Sequence, residues 1–114
     1  INIASMDSFF GSVLVPAYSA SKGGVAQLTK ALSNEWAAEG INVNAIAPGY
    51  MATALTDTMK VKNPAQYEET NRRIPMGRWG AAWGLKGLAV FLASDASAYI
   101  SGAVIPVDGG FLGR

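Results

Sequence analysis

The 114-residue sequence contains no histidine and no cysteine. Without histidine, this chain can form neither a Ser-His-Asp catalytic triad nor a His-ligated metal site. Without cysteine, disulfides, thiol nucleophiles and zinc–thiolate sites are excluded as well. We therefore predict no metal site, and the chemistry that remains is that of oxygen and amine groups.

Charge is also sparse, since only 15% of the residues are charged and nine basic residues face eight acidic ones, for a net charge of +1. No basic tract is present, so we expect neither nucleic acid nor an anionic membrane surface as a partner. No apolar run approaches the roughly 18–20 residues that cross a bilayer. Half of the residues are hydrophobic, which is typical of a globular chain.

The most informative stretch is the segment Tyr18-Ser19-Ala20-Ser21-Lys22, read together with Ser5. Residues 23–39 have the composition of a helix, and a helix that begins near Tyr18 places the side chains of Tyr18 and Lys22 on one face, with Cβ atoms about 5–6 Å apart. A nearby ammonium favours the phenolate form of a tyrosine, which makes it a usable proton acceptor near neutral pH. A serine hydroxyl can hold a carbonyl or alcohol oxygen beside the phenol. The pattern predicts a proton-transfer site, although a Tyr and a Lys four apart also occur by chance.

Patterning along the chain predicts alternating strands and helices. Strands are predicted at residues 1–5, 41–47 and 103–107, helices at 17–39 and 85–93, and two weaker helices within 54–80. Gly40 is a natural end for the long helix, and Pro48-Gly49 ends the second strand. A strand, helix, strand order favours a parallel sheet, so the predicted fold class is α/β.

Two helices are predicted to bury apolar faces. The long helix carries an apolar stripe of Val25, Leu28, Leu32 and Trp36, and the helix at 85–93 is expected to bury Leu85, Leu88, Ala89, Phe91 and Leu92. Gly23 and Gly24 weaken the long helix by roughly 1 kcal/mol each relative to alanine, which indicates close packing within the fold or between subunits.

Some side chains allow two interpretations. The apolar residues of the loop 6–16 form either ordinary packing or the wall of a substrate pocket, and Tyr50 and Met51 would complete that pocket; they are Phe9, Phe10, Val13, Leu14 and Val15. Three arginines of the segment 54–80 are either solvated surface charges or groups that meet an anionic substrate; they are Arg72, Arg73 and Arg78.

Several motifs occur in a characteristic order: Ile1-Asn2-Ile3-Ala4-Ser5, Tyr18-x-x-x-Lys22, Asn42-Val43-Asn44-Ala45-Ile46-Ala47-Pro48-Gly49 and Val107-Asp108-Gly109-Gly110. Together they resemble the second half of the short-chain dehydrogenase/reductase family. The resemblance implies the C-terminal half of a Rossmann-like doubly wound parallel sheet. On this interpretation residues 1–114 are a partial single domain, and the half that binds the dinucleotide pyrophosphate would precede Ile1.

The resemblance also implies roles for individual residues. Tyr18 would be the general acid/base, Lys22 would promote its phenolate and bind the nicotinamide ribose hydroxyls, and Ser5 would position the substrate oxygen. The cofactor implied is NAD or NADP, with further contacts from Pro48, Gly49, the Met51 backbone and the Thr53 hydroxyl. The segment 54–80 would be a lid over the substrate.

Within the family, the chain looks most like the gluconate 5-dehydrogenase and 2-deoxy-D-gluconate 3-dehydrogenase group. The segments that carry this likeness include Asn2–Met6, 34–37, 47–53, 73–80 and the ending Gly-Phe-Leu-Gly-Arg. A sugar acid or polyol substrate, a homotetramer with Phe111 and Leu112 at a subunit interface, and a cytoplasmic location are implied.

Three alternatives stay open. The first is an enzyme similar to 3-oxoacyl-acyl-carrier-protein reductase, which shares the Tyr-x-x-x-Lys motif and the Pro-Gly turn. The second is a non-catalytic fragment that serves only in assembly, for which nothing would depend on Tyr18. The third is a generic nucleotide-binding module, which the set of Ser5, Tyr18 and Lys22 makes less attractive because binding alone does not require it.

Overall fold

A three-stranded parallel sheet is the centre of the structure, a computed structural model that describes residues 1–113 apart from the side chain of Leu55. The strands are β1 (Asn2–Ile3), β2 (Ala45–Pro48) and β5 (Val104–Val107), in the order β1-β2-β5. Both strand pairs are parallel. The predicted α/β class and parallel sheet are confirmed, whereas Arg114, which ends the last quoted motif, lies outside the described residues.

Helix α1 (Pro16–Trp36) makes the crossover from β1 to β2. Proline at the first helical position suits this start, because its missing N–H would have no partner there. A short 3₁₀ helix at Ala37–Glu39 follows, and Gly40 ends it with a φ of 78°. Glycine tolerates this left-handed backbone, so the predicted stop at Gly40 is confirmed.

The segment between β2 and β5 contains two helices and a second, small sheet. Strand β3 (Met51–Ala52) leads into α2 (Ala54–Lys62) and α3 (Pro64–Arg73), and β4 (Gly80–Ala81) then returns to pair with β3 in parallel. Two helices were predicted here, whereas the β3–β4 pair was not.

The chain finishes with α4 (Lys86–Leu92), β5 and a short tail. The remaining 3₁₀ helices are Met6–Ser8, Ala82–Leu85, Asp95–Ser97 and Phe111–Gly113. Observed strands are shorter than predicted, since β1 covers residues 2–3 rather than 1–5 and β2 begins at Ala45 rather than Ile41.

Small and polar residues of α1 face the sheet together with Val25, which corrects the predicted apolar stripe at Leu28 and Trp36. The buried residues of α1 are Ala26, Thr29 and Ser33, whereas Leu28 is 51% exposed and Trp36 is 37% exposed. The Thr29 hydroxyl accepts a hydrogen bond of 3.0 Å from the Asn2 amide. Small side chains bring the helix close to the strands, and hydrogen bonds satisfy the polar groups that this contact buries.

Helix α4 is also less buried than predicted. Among its described residues only Leu92 is buried, and Phe91 is 36% exposed. Leu88 and Ala89 are partly covered, as is Leu85 just before the helix. A seven-residue helix at the side of a three-stranded sheet has too little neighbouring surface to cover all of these side chains.

A largely aromatic core lies beyond the carboxyl ends of the strands. Its buried members are Met6, Ile74, Trp79 and Phe111, and Phe10, Tyr50, Met59, Tyr67 and Leu112 pack against them. The Phe10 and Phe111 rings stack with centroids 5.8 Å apart, and the Tyr67 and Trp79 rings stack at 5.2 Å. Phe111 was predicted to lie at a subunit interface, but the chain buries it in its own core.

Asn44 joins β2 to the segment that enters β5. This residue is buried, its Nδ2 donates to the Ile100 carbonyl at 2.7 Å, and its Oδ1 accepts from the Ala103 amide at 3.0 Å. One side chain therefore satisfies two backbone groups that the sheet ladder leaves unpaired, which fixes the approach to β5.

Candidate active site

A cleft of about 540 Å³ opens at the carboxyl ends of β1 and β2. Ligands of open α/β sheets bind at this end of the strands. The lining residues are Ser5, Met6, Asp7, Ser12, Val13, Val15, Tyr18, Gly49, Tyr50, Met51, Thr56, Met59 and Trp79. Of the predicted site residues, Ser5, Tyr18, Gly49 and Met51 therefore share one cavity.

Ser5 is buried and begins the 3₁₀ turn that follows β1. Its Oγ accepts a hydrogen bond of 3.1 Å from the Asp7 amide, and its own amide donates to the Ser8 Oγ at 3.3 Å. This reciprocal capping pattern fixes the Ser5 side chain. Because its Oγ accepts in this contact, the Ser5 hydroxyl keeps its proton for an oxygen bound in the cleft.

Lys22 connects α1 to both sides of Ser5. Its carbonyl accepts a hydrogen bond of 2.7 Å from the Ser8 hydroxyl, and its Nζ donates to the Ile3 carbonyl at 2.8 Å. These two contacts hold the helix in register with the end of β1. An ammonium has three donors, so Lys22 keeps two for other partners.

Tyr18 lies in the first turn of α1 and is 46% exposed toward the cleft it lines. The Lys22 Nζ is 5.7 Å from the centroid of the Tyr18 ring, as the spacing of four residues predicts. The structure thus brings the phenol and the ammonium to one face of α1, with Tyr18 on the cleft wall and Lys22 beside it.

The turn after β2 contributes the opposite wall. Gly49 and Met51 line the cleft, while Pro48 is the last residue of β2 and is paired in register with Val107. Thr53 does not line the cleft: it caps α2, and its hydroxyl accepts from the Thr56 amide at 3.4 Å. Thr56 lines the cleft in its place.

Only part of the predicted apolar wall of the loop 6–16 lines the cleft. Val13 and Val15 line the cleft, together with Tyr50 and Met51, as one of the two interpretations of this loop expected. Phe10 instead packs on Phe111. Leu14 is exposed and lines a neighbouring cavity of about 280 Å³, which also contains Arg73.

Several lining residues were missed at the sequence level. Asp7, Ser12, Thr56, Met59 and Trp79 come from four different segments that only the tertiary fold brings together. Asp7 carried a local signal, since it lies two residues after Ser5 at the end of the first strand. The other four carry no pattern that distinguishes them from ordinary loop and helix residues.

The residues around the cleft fit a nicotinamide ribose. Lys22 retains two ammonium donors for ribose hydroxyls. Gly49 has no side chain, so the backbone at the carboxyl end of β2 is open to the cleft. The cleft therefore offers a phenol, a serine hydroxyl and a neighbouring ammonium, which together suit proton transfer at a C–OH or C=O group.

A parallel α/β sheet with this set of groups at its strand ends defines a dehydrogenase-like class of protein. The sequence profile of the family described as Enoyl-(Acyl carrier protein) reductase matches residues 1–112. The chain belongs to the short-chain dehydrogenase/reductase family.

Individual relatives are similar over the whole chain. The 2-dehydro-3-deoxy-D-gluconate 5-dehydrogenases of Bacillus subtilis (strain 168) and Escherichia coli (strain K12) are 57% and 54% identical over 114 residues, which are 100% of this chain and 44% and 45% of those proteins. The chain thus spans less than half the length of these relatives.

A solved structure agrees with the fold. The gluconate 5-dehydrogenase of Burkholderia cenocepacia J2315, in complex with NADP and tartrate, superposes with a TM-score of 0.93 at 40% identity, covering 99% of this chain and 44% of that one. The predicted Rossmann-like fold class is therefore confirmed.

Within residues 1–113 no helix is long and apolar enough to cross a membrane. The same residues contain no group of three or more acidic side chains arranged to hold a metal ion.

Proposed function

We propose that this chain is the catalytic half of an NAD(P)-dependent oxidoreductase that interconverts a carbinol and a carbonyl of a sugar acid or polyol. The observation that carries the proposal is the placement of Tyr18 and Ser5 on one cleft, with the Lys22 Nζ 5.7 Å from the Tyr18 ring. Mere nucleotide binding does not require this arrangement.

In the oxidation direction, Ser5 holds the substrate oxygen by donating its hydroxyl proton, and Tyr18 accepts the proton that leaves that oxygen. A bound nicotinamide would supply the acceptor for the hydride that the carbinol carbon loses. In reduction, Tyr18 returns the proton to the oxygen of the new alcohol. Lys22, with its Nζ 5.7 Å from the Tyr18 ring, is placed to bind ribose hydroxyls with its two remaining donors.

Two further contacts of the cofactor belong to the proposal. The turn at Pro48 and Gly49 and the Met51 backbone are assigned to the nicotinamide side of the cleft, in keeping with the position of Gly49 and Met51 on its wall. Thr53 is assigned a hydroxyl contact to the cofactor, because its Oγ1 accepts the capping hydrogen bond from the Thr56 amide and can still donate its own proton.

The proposal of a sugar-acid substrate is based on the similarity of this chain to its relatives. Proteins more than 50% identical over the whole chain are described as 2-dehydro-3-deoxy-D-gluconate 5-dehydrogenases, and the cleft carries polar groups beside its apolar wall. We further propose that the active protein is a cytoplasmic homo-oligomer in which a dinucleotide-binding half precedes Ile1. The parent protein is that longer protein.

The test is NAD(P)H absorbance with the parent protein against keto-gluconates, simple sugars and an acetoacetyl thioester. We expect turnover of a keto-gluconate, and we expect Tyr18→Phe to lower kcat by at least about 100-fold while cofactor affinity is retained. Tyr67→Phe, at a tyrosine of the aromatic core, is the matched control. Unchanged turnover of the Tyr18→Phe protein would refute the role of the phenol, and turnover of the thioester alone would favour an acyl-carrier-protein reductase.

A further inference from the structure

Asp7 is a buried acidic residue inside the candidate active site. It is only 7% exposed, and it lines the same cleft as Ser5 and Tyr18. Its backbone amide donates to the Ser5 Oγ at 3.1 Å. Asp7 is therefore adjacent to the hydroxyl that is assigned to bind the reacting oxygen of the substrate. The carboxylate of Asp7 therefore lies close to the reaction centre.

The Asp7 carboxylate has no partner among the described residues. Within residues 1–113 neither oxygen takes part in a hydrogen bond or an ion pair, and the Lys22 ammonium donates to the Ile3 carbonyl. Among the described residues, the buried side-chain atoms that have neither solvent contact nor a hydrogen-bond partner are Asn71 Oδ1 and Trp79 Nε1. The Asp7 oxygens are not among them and have no protein partner, so they keep contact with the solvent of the cleft. The Asp7 carboxylate is therefore accessible to a ligand in the cleft, although the residue is largely buried from bulk solvent.

An unpaired carboxylate in such a place costs stability. A buried charged group loses much of its hydration, and a single partner that donates a hydrogen bond recovers part of that loss. A carboxylate only accepts hydrogen bonds, so its ligand must bring a donor. Anionic ends of a ligand are repelled, which leaves hydroxyl and amine groups.

We propose that Asp7 accepts a hydrogen bond from a hydroxyl group of the substrate on a carbon close to the reacting one. This inference rests on the proposed function, because the reacting carbon is defined by Ser5 and Tyr18. It makes Asp7 a specificity-determining residue, which favours polyhydroxylated substrates over acyl chains that have no hydroxyl to donate. It also orients a sugar acid with its carboxylate directed away from Asp7.

The test compares substrates that differ by one hydroxyl. The parent protein and its Asp7→Leu and Asp7→Asn variants are assayed with a keto-gluconate and with analogues in which each hydroxyl beside the keto carbon is replaced by hydrogen. We expect Asp7→Leu to lower kcat/KM for the keto-gluconate by about 10- to 100-fold, as loss of a hydrogen bond to a charged group implies. For one of the deoxy analogues, wild type and variant should have equal kcat/KM.

Controls separate recognition from folding. Asp57→Leu changes an exposed acidic residue that does not line the cleft. It should leave kcat/KM unchanged for the keto-gluconate and for every deoxy analogue. NADPH affinity should be the same in wild type and variants, and the thermal stability of the Asp7 variants should be equal to or higher than that of the wild type, because the unpaired buried carboxylate is removed. If Asp7→Leu does not fold, Asp7→Asn, which keeps the shape and one acceptor, should still show a loss of about 3-fold or more that vanishes with the same analogue.

An equal loss of kcat/KM for every substrate would overturn the inference. If the wild-type protein reduces none of the keto-gluconates, the proposed substrate is wrong. Isothermal titration calorimetry then tests separately whether Asp7 binds a ligand hydroxyl. A polyhydroxylated sugar acid should then bind the NADPH complex of the wild type more tightly than its deoxy analogue; Asp7→Asn should reduce that difference and Asp7→Leu should abolish it. Binding that ignores the hydroxyl in both proteins would refute the role of Asp7.

Discussion

A Cβ atom on Gly49 would lie 2.7 Å from both the Cα and the Cβ of Asp108. The turns after β2 and β5 are therefore in direct backbone contact, and the Gly49 amide donates to the Val107 carbonyl at 3.0 Å. Because Gly49 also lines the cleft, the position of one cleft wall depends on this contact.

Gly49→Ala should destabilise the parent protein by about 1–3 kcal/mol and lower its activity. The added methyl group overlaps backbone, which cannot rotate away, so the two turns must separate. Chemical denaturation and steady-state kinetics measure the two effects. Gly11→Ala is the matched control, since an added Cβ there meets nothing within 4 Å. Equal behaviour of the two variants would show that the close contact has no energetic role.

Gly109→Ala should be destabilising for two reasons. Gly109 has a φ of 67°, which an alanine rarely adopts, and its Cβ would lie 2.8 Å from Ile74 Cγ2. We expect a loss of about 1–3 kcal/mol in the free energy of unfolding. Its carbonyl accepts from the Met76 amide at 3.1 Å, so the end of the segment 54–80 should loosen as well, with faster amide exchange at Met76.

Gly113→Ala serves as the reference for this measurement. Gly113 has no positive φ and no atom within 4 Å of an added Cβ. A glycine-to-alanine change there should be neutral within about 0.5 kcal/mol. Similar losses at positions 109 and 113 would mean that the tail as a whole, rather than the Gly109 turn, responds to substitution.

Asn44→Leu should cost about 2 kcal/mol or more, because it leaves the Ile100 carbonyl and the Ala103 amide without their partner. Urea denaturation measures the change. Asn42→Leu is the matched control two residues away: the Asn42 side chain is exposed, and its Nδ2 donates to the Ala98 carbonyl at 3.1 Å. If Asn42→Leu lowered the free energy of unfolding as much as Asn44→Leu, burial of the Asn44 hydrogen bonds would not explain the loss.

Lys22→Met should lower kcat/KM by at least about 100-fold with little change in stability. The methionine keeps the length of the side chain but removes the ammonium beside Tyr18 and the hydrogen bond to the Ile3 carbonyl. Because that bond is exposed, its loss should cost less than about 1 kcal/mol. Lys30→Met, at an exposed position of α1, should keep full activity, and full activity of Lys22→Met would exclude its proposed role.

Sequence patterns predicted the strand, helix, strand order and the pairing of Tyr18 with Lys22. Both are local features: four residues make about one turn of helix, and Gly40 ends the helix by its backbone conformation. The end of β1 at the site followed from the same order, because a parallel sheet places its strand ends together.

The pattern failed where distant segments meet. Leu28 and Trp36 of the apolar stripe are exposed. The buried residues of α1 that face the sheet are instead Ala26, Thr29 and Ser33. Periodicity reports apolar side chains, whereas close packing of a helix on a sheet selects small ones. The β3–β4 pair and the burial of Phe111 depend on contacts more than 25 residues apart, which no local pattern contains.

Strand β1 has one further consequence. Among residues 1–113 it pairs with β2 alone, so its other edge has no strand partner, although the Ile3 carbonyl accepts from the Lys22 ammonium. Ile1 and Ile3 are both about half exposed. An apolar edge of this kind is a template for any extended chain that can add to it. This chain handled alone at high concentration should therefore self-associate into β-rich aggregates that nucleate at β1, and a lysine in place of Ile3 should suppress them.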